Sequence, residues 1–363
     1  MNTNFSLRKQ GWRTALASAL AALWLTACGG GGDSATSTVA LASSATPGQA
    51  AAQLPAAQQP VQTAPSAQGP VQGVPTAPGS AEFRVNTTTA GRQENSSIVR
   101  LKSGGHVIAW ISNPEMFGGV VVPPGARGVC TQRYGVDGQA LGQEICIAPD
   151  AVFMNRPALA ALDDGGYLLV WPERQSNGSG DDHNLFAQRF DANGVAVRAV
   201  QQINSITLSS FLFSTITAAG LADGGYGVTW VTPRTADTSP DIYARRFDAE
   251  GVACPCGPEK RVNTFTDSLN LAIRTSPAIA ALADGGYLVT WVSIGQGGFE
   301  GSALYAQRYG ANNSPIGSET LLTPDTFGDL LGVSAPAVAG LTGGGYAVTY
   351  VLNRRGTRQV VAV

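Results

Sequence analysis

The side chains of this 363-residue chain best suited to chemistry are two histidines, five cysteines and its carboxylates, and their spacing restricts what that chemistry can be. His106 stands in an apolar stretch and His183 in a polar one. They do not cluster as zinc ligands do. No G-x-S-x-G run and no His–Cys arrangement supplies a nucleophile. Glycoside hydrolysis needs two carboxyl groups flanking the bond, one of them held protonated. Five runs that would line a central axis, IVRL, ALAAL, ITAAGL, AIAAL and AVAGL, contain no acid. Asp163, Asp164, Asp223 and Asp284 sit beside Gly-Gly pairs, where turn formation accounts for them. The expectation is therefore that the chain is not an enzyme, with a glycan-active hydrolase kept as the alternative.

Binding chemistry offers more. The run NGSGDDHN presents Asn177, Asp181 and Asp182 as oxygen donors for calcium. It lacks the D-x-[DN]-x-[DN]-G alternation that spaces ligands about one ion, so a solvated polar loop is preferred and no cofactor is expected. Arg133, Arg189, Arg246 and Arg308 recur beside aromatic residues in every complete unit. That recurrence points to a structural role, stacking on rings or pairing with acids. Cys130 and Cys146 are equidistant from Gly138. In a hairpin centred there they are cross-strand neighbours, close enough for a disulfide. Cys254 and Cys256 are the second candidate pair, for which a structural bridge ranks ahead of free thiols.

What positions these residues is a repeat. Segments such as RPALAALDDGGYLLVW and SPAIAALADGGYLVTW recur, closing on Trp110, Trp171, Trp230, Trp291 and Tyr350 at intervals of 59–61 residues. Each unit reads as four short β runs: PAIAALA, a Gly-Gly turn, GYLVTW, LYAQRY, a DANG-type turn, and a short fourth run. In GYLLVW both alternating sets are apolar, as in a sheet covered on both faces. The architecture expected is all-β, a five-bladed β-propeller over 82–363. The fifth unit has TRQVVAV (357–363) as its third strand and no fourth, while EFRVNT (82–87) precedes the first unit as a spare fourth strand. Pairing the two closes the ring.

In such a meander the short Gly-Gly and DANG turns share one rim, and long, dissimilar connections share the other. Variable loops on a rigid scaffold are where function usually sits. Phe153, Met154, Phe211, Phe213, Leu271, Phe327 and Leu331 make the long-loop rim apolar. They are the candidate binding face for a protein or glycan ligand, against the alternative that they plug the ring.

Charged residues make up 13% of the chain, there are 45 glycines, and the net charge is −2. No basic patch forms, which speaks against a nucleic-acid partner. Residues 28–81 are mostly Ala, Gln, Ser, Thr, Gly and Pro, with Asp33 as the sole charge after Cys28. Such a segment buries too little to offset its ordering entropy and is expected to be a disordered tether. Arg8, Lys9 and Arg13 followed by TALASALAALWL form a targeting segment over 1–27.

Two resemblances follow. Leu25-Thr26-Ala27-Cys28 resembles a bacterial lipobox. That resemblance implies acyl chains such as palmitate on Cys28, two or more of which hold a protein stably to a membrane. Gly29 after the cysteine leans toward the outer membrane. The units resemble the DGG-Y-x-V-T-W…Y-A-Q-R-F-D repeats of large bacterial surface and secreted adhesin-like proteins. The function expected is a membrane-anchored noncatalytic module for surface recognition or adhesion, or else a periplasmic scaffold for envelope assembly. In cells fed an alkyne palmitate analogue, the chain is expected to take up label and Cys28→Ala none. Equal labelling of the two would remove the anchor.

Overall fold

The computed structural model describes residues 82–89, 91–113, 128–147, 156–176, 181–205, 215–233, 240–254, 258–265, 272–296, 301–323 and 330–363. The named elements are all strands, in five antiparallel sheets that follow chain order. Sheet 1 holds β1 (Arg92–Arg100), β2 (His106–Asn113), β3 (Gly128–Tyr134) and β4 (Ala140–Ile147). Sheet 2 holds β5 (Ala158–Ala161), β6 (Tyr167–Ser176), β7 (Asp181–Phe190) and β8 (Gln201–Gln202). Sheet 3 holds β9 (Ile216–Gly220), β10 (Tyr226–Pro233), β11 (Pro240–Phe247) and β12 (Lys260–Arg261). Sheet 4 holds β13 (Ile273–Ala281), β14 (Tyr287–Ile294), β15 (Ser302–Tyr309) and β16 (Pro315–Leu321). Sheet 5 holds β17 (Leu330–Gly340), β18 (Tyr346–Arg354) and β19 (Thr357–Ala362). The fold is all-β and propeller-like. Residues 82–87 form no strand, and sheet 5 has three strands rather than four.

The Gly-Gly turns do two separate jobs. The first glycine, Gly165, Gly224 or Gly285, has φ of 81–86°, which side chains rarely adopt. The second lies against the third strand. A Cβ on Gly166, Gly225 or Gly286 would come within 2.1–2.3 Å of the carbonyl oxygen of Phe190, Phe247 or Tyr309. The aspartate before them braces the same turn. Asp164, Asp223 and Asp284 accept the amide hydrogen of the second glycine through Oδ1, at 3.0–3.1 Å. Through Oδ2 they accept from Arg189, Arg246 and Arg308 on the third strand. The Arg308 hydrogen bond holds the Asp284 carboxyl below its ordinary range. The recurring arginines thus tie the first turn to the third strand.

Across each sheet, rings stack in pairs. Tyr167–Phe190, Tyr226–Phe247 and Tyr287–Tyr309 have centroids 4.7–4.9 Å apart. Trp171–Phe186, Trp230–Tyr243 and Trp291–Tyr305 follow at 6.1–6.3 Å. These rings feed the cores between sheets. Tyr167, Leu169 and Trp171 pack toward sheet 1, with Val107, Ala109 and Ile111. Leu168 and Val170 pack toward sheet 3, with Val228 and Trp230. The double apolar pattern of β6 is explained by burial on both faces. Equivalent cores join sheets 3 and 4 and sheets 4 and 5. On the other face of sheet 1, Ile98 is 66% exposed.

Gly166→Ala is expected to lower stability by about 1–3 kcal/mol, because the carbonyl of Phe190 leaves no room for a methyl group. Gly343→Ala, with nothing within 4 Å of its Cβ, is expected to be near neutral in the same denaturant titration. Equal losses would refute the close-approach account.

Candidate functional site

A cavity of about 820 Å³ lies along β1, lined from sheet 1 and by Arg156 at the entry to sheet 2. β1 begins four residues earlier than the apolar run SSIVRL and so brings Gln93, Glu94 and Asn95 into the cavity wall. Glu94 pairs with Ile111 in the ladder, at the end of the sheet from which the connection 114–127 leaves. A bulge between Glu94 and Ser97 then shifts the register. It holds Asn95 at φ 59°, a left-handed conformation that asparagine tolerates.

The same bulge recurs in β13 and β17, with Ser276 at φ 52° and Ala335 at φ 49°. Serine and alanine are not residues that favour this region. Such strain persists only where the surroundings impose it, and bulges of this kind re-aim side chains. Counting back six residues from Leu101, Leu162, Leu221, Leu282 and Leu341 gives Asn95, Arg156, Thr215, Ser276 and Ala335. One residue per sheet therefore stands at this level, and one of the five is charged.

Trp110 forms the apolar wall. Its counterparts stack on Phe186, Tyr243 and Tyr305, but opposite Trp110 in the ladder is Cys130. Among the described residues no ring stacks on it. The indole is instead held at its edge, Nε1 donating to Gln93 Oε1 at 2.9 Å while Gln93 Nε2 donates to Ser112 Oγ at 2.9 Å. Glu94 accepts from Arg92 at 2.7 Å. Ser97, which pairs with Ala109 in the ladder, has an Oγ buried without a hydrogen-bond partner. A carboxylate, an amide, a hydroxyl, a guanidinium and an indole thus converge on one space. Such a set suits a polyhydroxylated ligand, whose hydroxyl groups both donate and accept and whose C–H faces pack on rings.

Cys130 and Cys146 form the expected disulfide, from directly opposed positions of β3 and β4 with Cα atoms 4.0 Å apart. Cys254 is also disulfide-bonded. Cys28 and Cys256 lie outside the described residues, as do Phe153, Met154, Phe211, Phe213, Leu271, Phe327 and Asn177. Leu331 falls in β17, and Asp181 and Asp182 in β7. The cavity residues were not singled out by their types. The available signal was Cys130, which stands where the other complete units have Phe or Tyr and leaves one tryptophan without its ring.

No protein-family model and no curated protein matches the chain. Solved structures do resemble it. The α-L-arabinanase of Penicillium chrysogenum complexed with arabinobiose is 12% identical, with a TM-score of 0.49, covering 74% of this chain and 81% of its own. An α-L-arabinofuranosidase of Fusarium graminearum, also with arabinobiose, is 12% identical at a TM-score of 0.46, covering 75% and 82%. A Hadza microbial sialidase is 11% identical at 0.48, covering 75% and 56%. At these identities the likeness concerns the fold alone.

Two expectations are corrected. A noncatalytic binding module and the absence of enzyme activity stand against structural neighbours that are, by name, glycan-active enzymes. The premise behind both also fails in the structure. The inner strands were read as free of acids, but β1 is longer than its apolar run and carries Glu94.

Replacing Cys130 and Cys146 together with serine is expected to cost about 3 kcal/mol in the loop-entropy account. Chemical denaturation checks this, and an unchanged midpoint would show that the ladder alone holds β4.

Proposed function

We propose that the chain is a glycan-active hydrolase whose substrate occupies the cavity along β1. The observation that carries this reading is the convergence there of Glu94, Asn95, Ser96, Arg156 and the unstacked Trp110. Glu94 supplies one carboxyl group. Hydrolysis through a pair requires a second. Among the described residues the cavity holds one, and by sequence Glu115 and Asp150 belong to the two connections that leave β2 and β4 at the long-loop rim.

The same reading places the site in a ring of five blades closed by residues 82–87. A repeated clasp supports closure. Thr87 donates through its amide and its hydroxyl to Glu144 Oε2, at 2.7 and 2.9 Å. Ser205 makes the same pair of bonds to Glu259, and Thr264 to Glu319. Ser205 and Thr264 follow the fourth strands of sheets 2 and 3, and their acceptors lie at the fourth strands of sheets 3 and 4. Thr87 thus meets sheet 1 as the end of a preceding fourth strand would. Sheet 5 is the one that lacks such a strand. Val360 of β19 is 79% exposed, whereas Leu304, at the equivalent place in β15, is fully buried. A lipid on Cys28 with residues 28–81 as the tether would hold this domain at the outer membrane.

Arabino-oligosaccharides and sialyllactose are the first substrates to try. The wild-type chain is expected to release reducing sugar or sialic acid, and Glu94→Gln to lose about 10²–10⁴-fold in turnover with an unchanged melting temperature. Full activity in Glu94→Gln would remove this site, and no turnover on a broad glycan panel would remove the hydrolase.

A further inference from the structure

Resting on that reading, we propose that the sugar bound in the cavity carries a carboxylate and that Arg156 is the residue that selects it. Among the described residues two charged side chains line the cavity, Glu94 and Arg156. Glu94 is already matched by Arg92 at 2.7 Å. Arg156 is exposed and makes no hydrogen bond or ion pair with a described residue. Among the described residues the Arg156 guanidinium is therefore left without an acidic partner, beside hydroxyl- and amide-bearing walls.

Arg156 also differs from the arginines that build the scaffold. Arg189, Arg246 and Arg308 recur from unit to unit, each with its own turn aspartate. The position of Arg156 is filled elsewhere by Asn95, Thr215, Ser276 and Ala335, all neutral. A residue needed for the repeat would repeat. It stands just before β5 and outside the sheet ladder, so neither packing nor pairing calls for an arginine there. What a guanidinium adds at that point is a planar fork of donors that matches both oxygens of a carboxylate.

The test is calorimetric titration of the full-length protein with trigalacturonate and 3′-sialyllactose, each compared with its methyl ester, and with neutral arabinotriose. The acid form of at least one is expected to bind about 10–100-fold tighter than its ester, as a charge-assisted hydrogen-bonded pair implies. Arg156→Gln is expected to erase that ratio and Arg156→Lys to keep part of it, with melting temperatures unchanged. Acid and ester binding equally would overturn the proposal. Arabinotriose binding while both acids fail would overturn it and leave the hydrolase reading standing. Failure of every glycan would end both.

Discussion

A single close approach sets the rest of sheets 1 to 4. The second glycine of the first turn lies so near a carbonyl at the end of the third strand that no side chain fits between them. This contact brings the turn aspartate within reach of the third-strand arginine and fixes the register of the second strand. In an antiparallel ladder a slip of one residue sends every side chain to the other face. The register therefore decides that Tyr167, Leu169 and Trp171 meet sheet 1 while Leu168 and Val170 meet sheet 3. The cores between sheets are consequences of where that glycine sits.

This explains which parts of the molecule were legible in the sequence. The Gly-Gly pairs, the aspartates before them and the arginines of the third strands each answer to a local contact, and local contacts recur at the period of the repeat. The second and third strands were readable for that reason. The fourth strands β8 and β12 are two residues long, held as much by Asn204 and Asn263, which accept the amides of Leu185 and Ile242, as by a ladder. The start of β1 was hidden by its bulge. A register shift between Glu94 and Ser97 breaks the alternation of two, so the run of apolar residues ends before the strand does. Glu94 was then counted as part of no strand, and the inner strands seemed free of acids. Arg156 was illegible for another reason. It is one residue at a position that differs in every unit, and nothing in a single unit marks it.

Sheet 1 shows how a repeated scaffold makes room for a site without losing rigidity. Three positions of its unit depart from the pattern, and each loss is offset in kind. Ser103 replaces the turn aspartate, and Arg133 turns to the carbonyl oxygens of Ala192 and Asn193 in the next sheet instead. His106 replaces the tyrosine and still stacks on Tyr134, with centroids 4.8 Å apart. Cys130 replaces the aromatic partner of the tryptophan, and here the substitute is covalent. A bond to Cys146 ties β3 to β4 while occupying far less volume than a phenyl ring. The tie moves from β2–β3 to β3–β4, the ring contact is lost, and the indole of Trp110 lines a cavity instead of stacking on a neighbour.

The bulges argue in the same direction. Asn95, Ser276 and Ala335 hold left-handed backbone at one level on three of the five inner strands. Each costs about 1–3 kcal/mol that regular strands would not spend. A fold built only to pack would straighten them, because the apolar residues that follow each bulge already fill the cores. Keeping the distortion turns the polar residues at that level out of the ladder, toward the end of the sheets where the long connections leave. Of the five residues at that level Arg156, at the entry to sheet 2, is the charged one, and Glu94 stands next to Asn95 on β1. The asymmetry of the cavity therefore comes from side chains at one level of the repeat, set on a backbone distortion in three of the units, which is how five similar sheets can support one site.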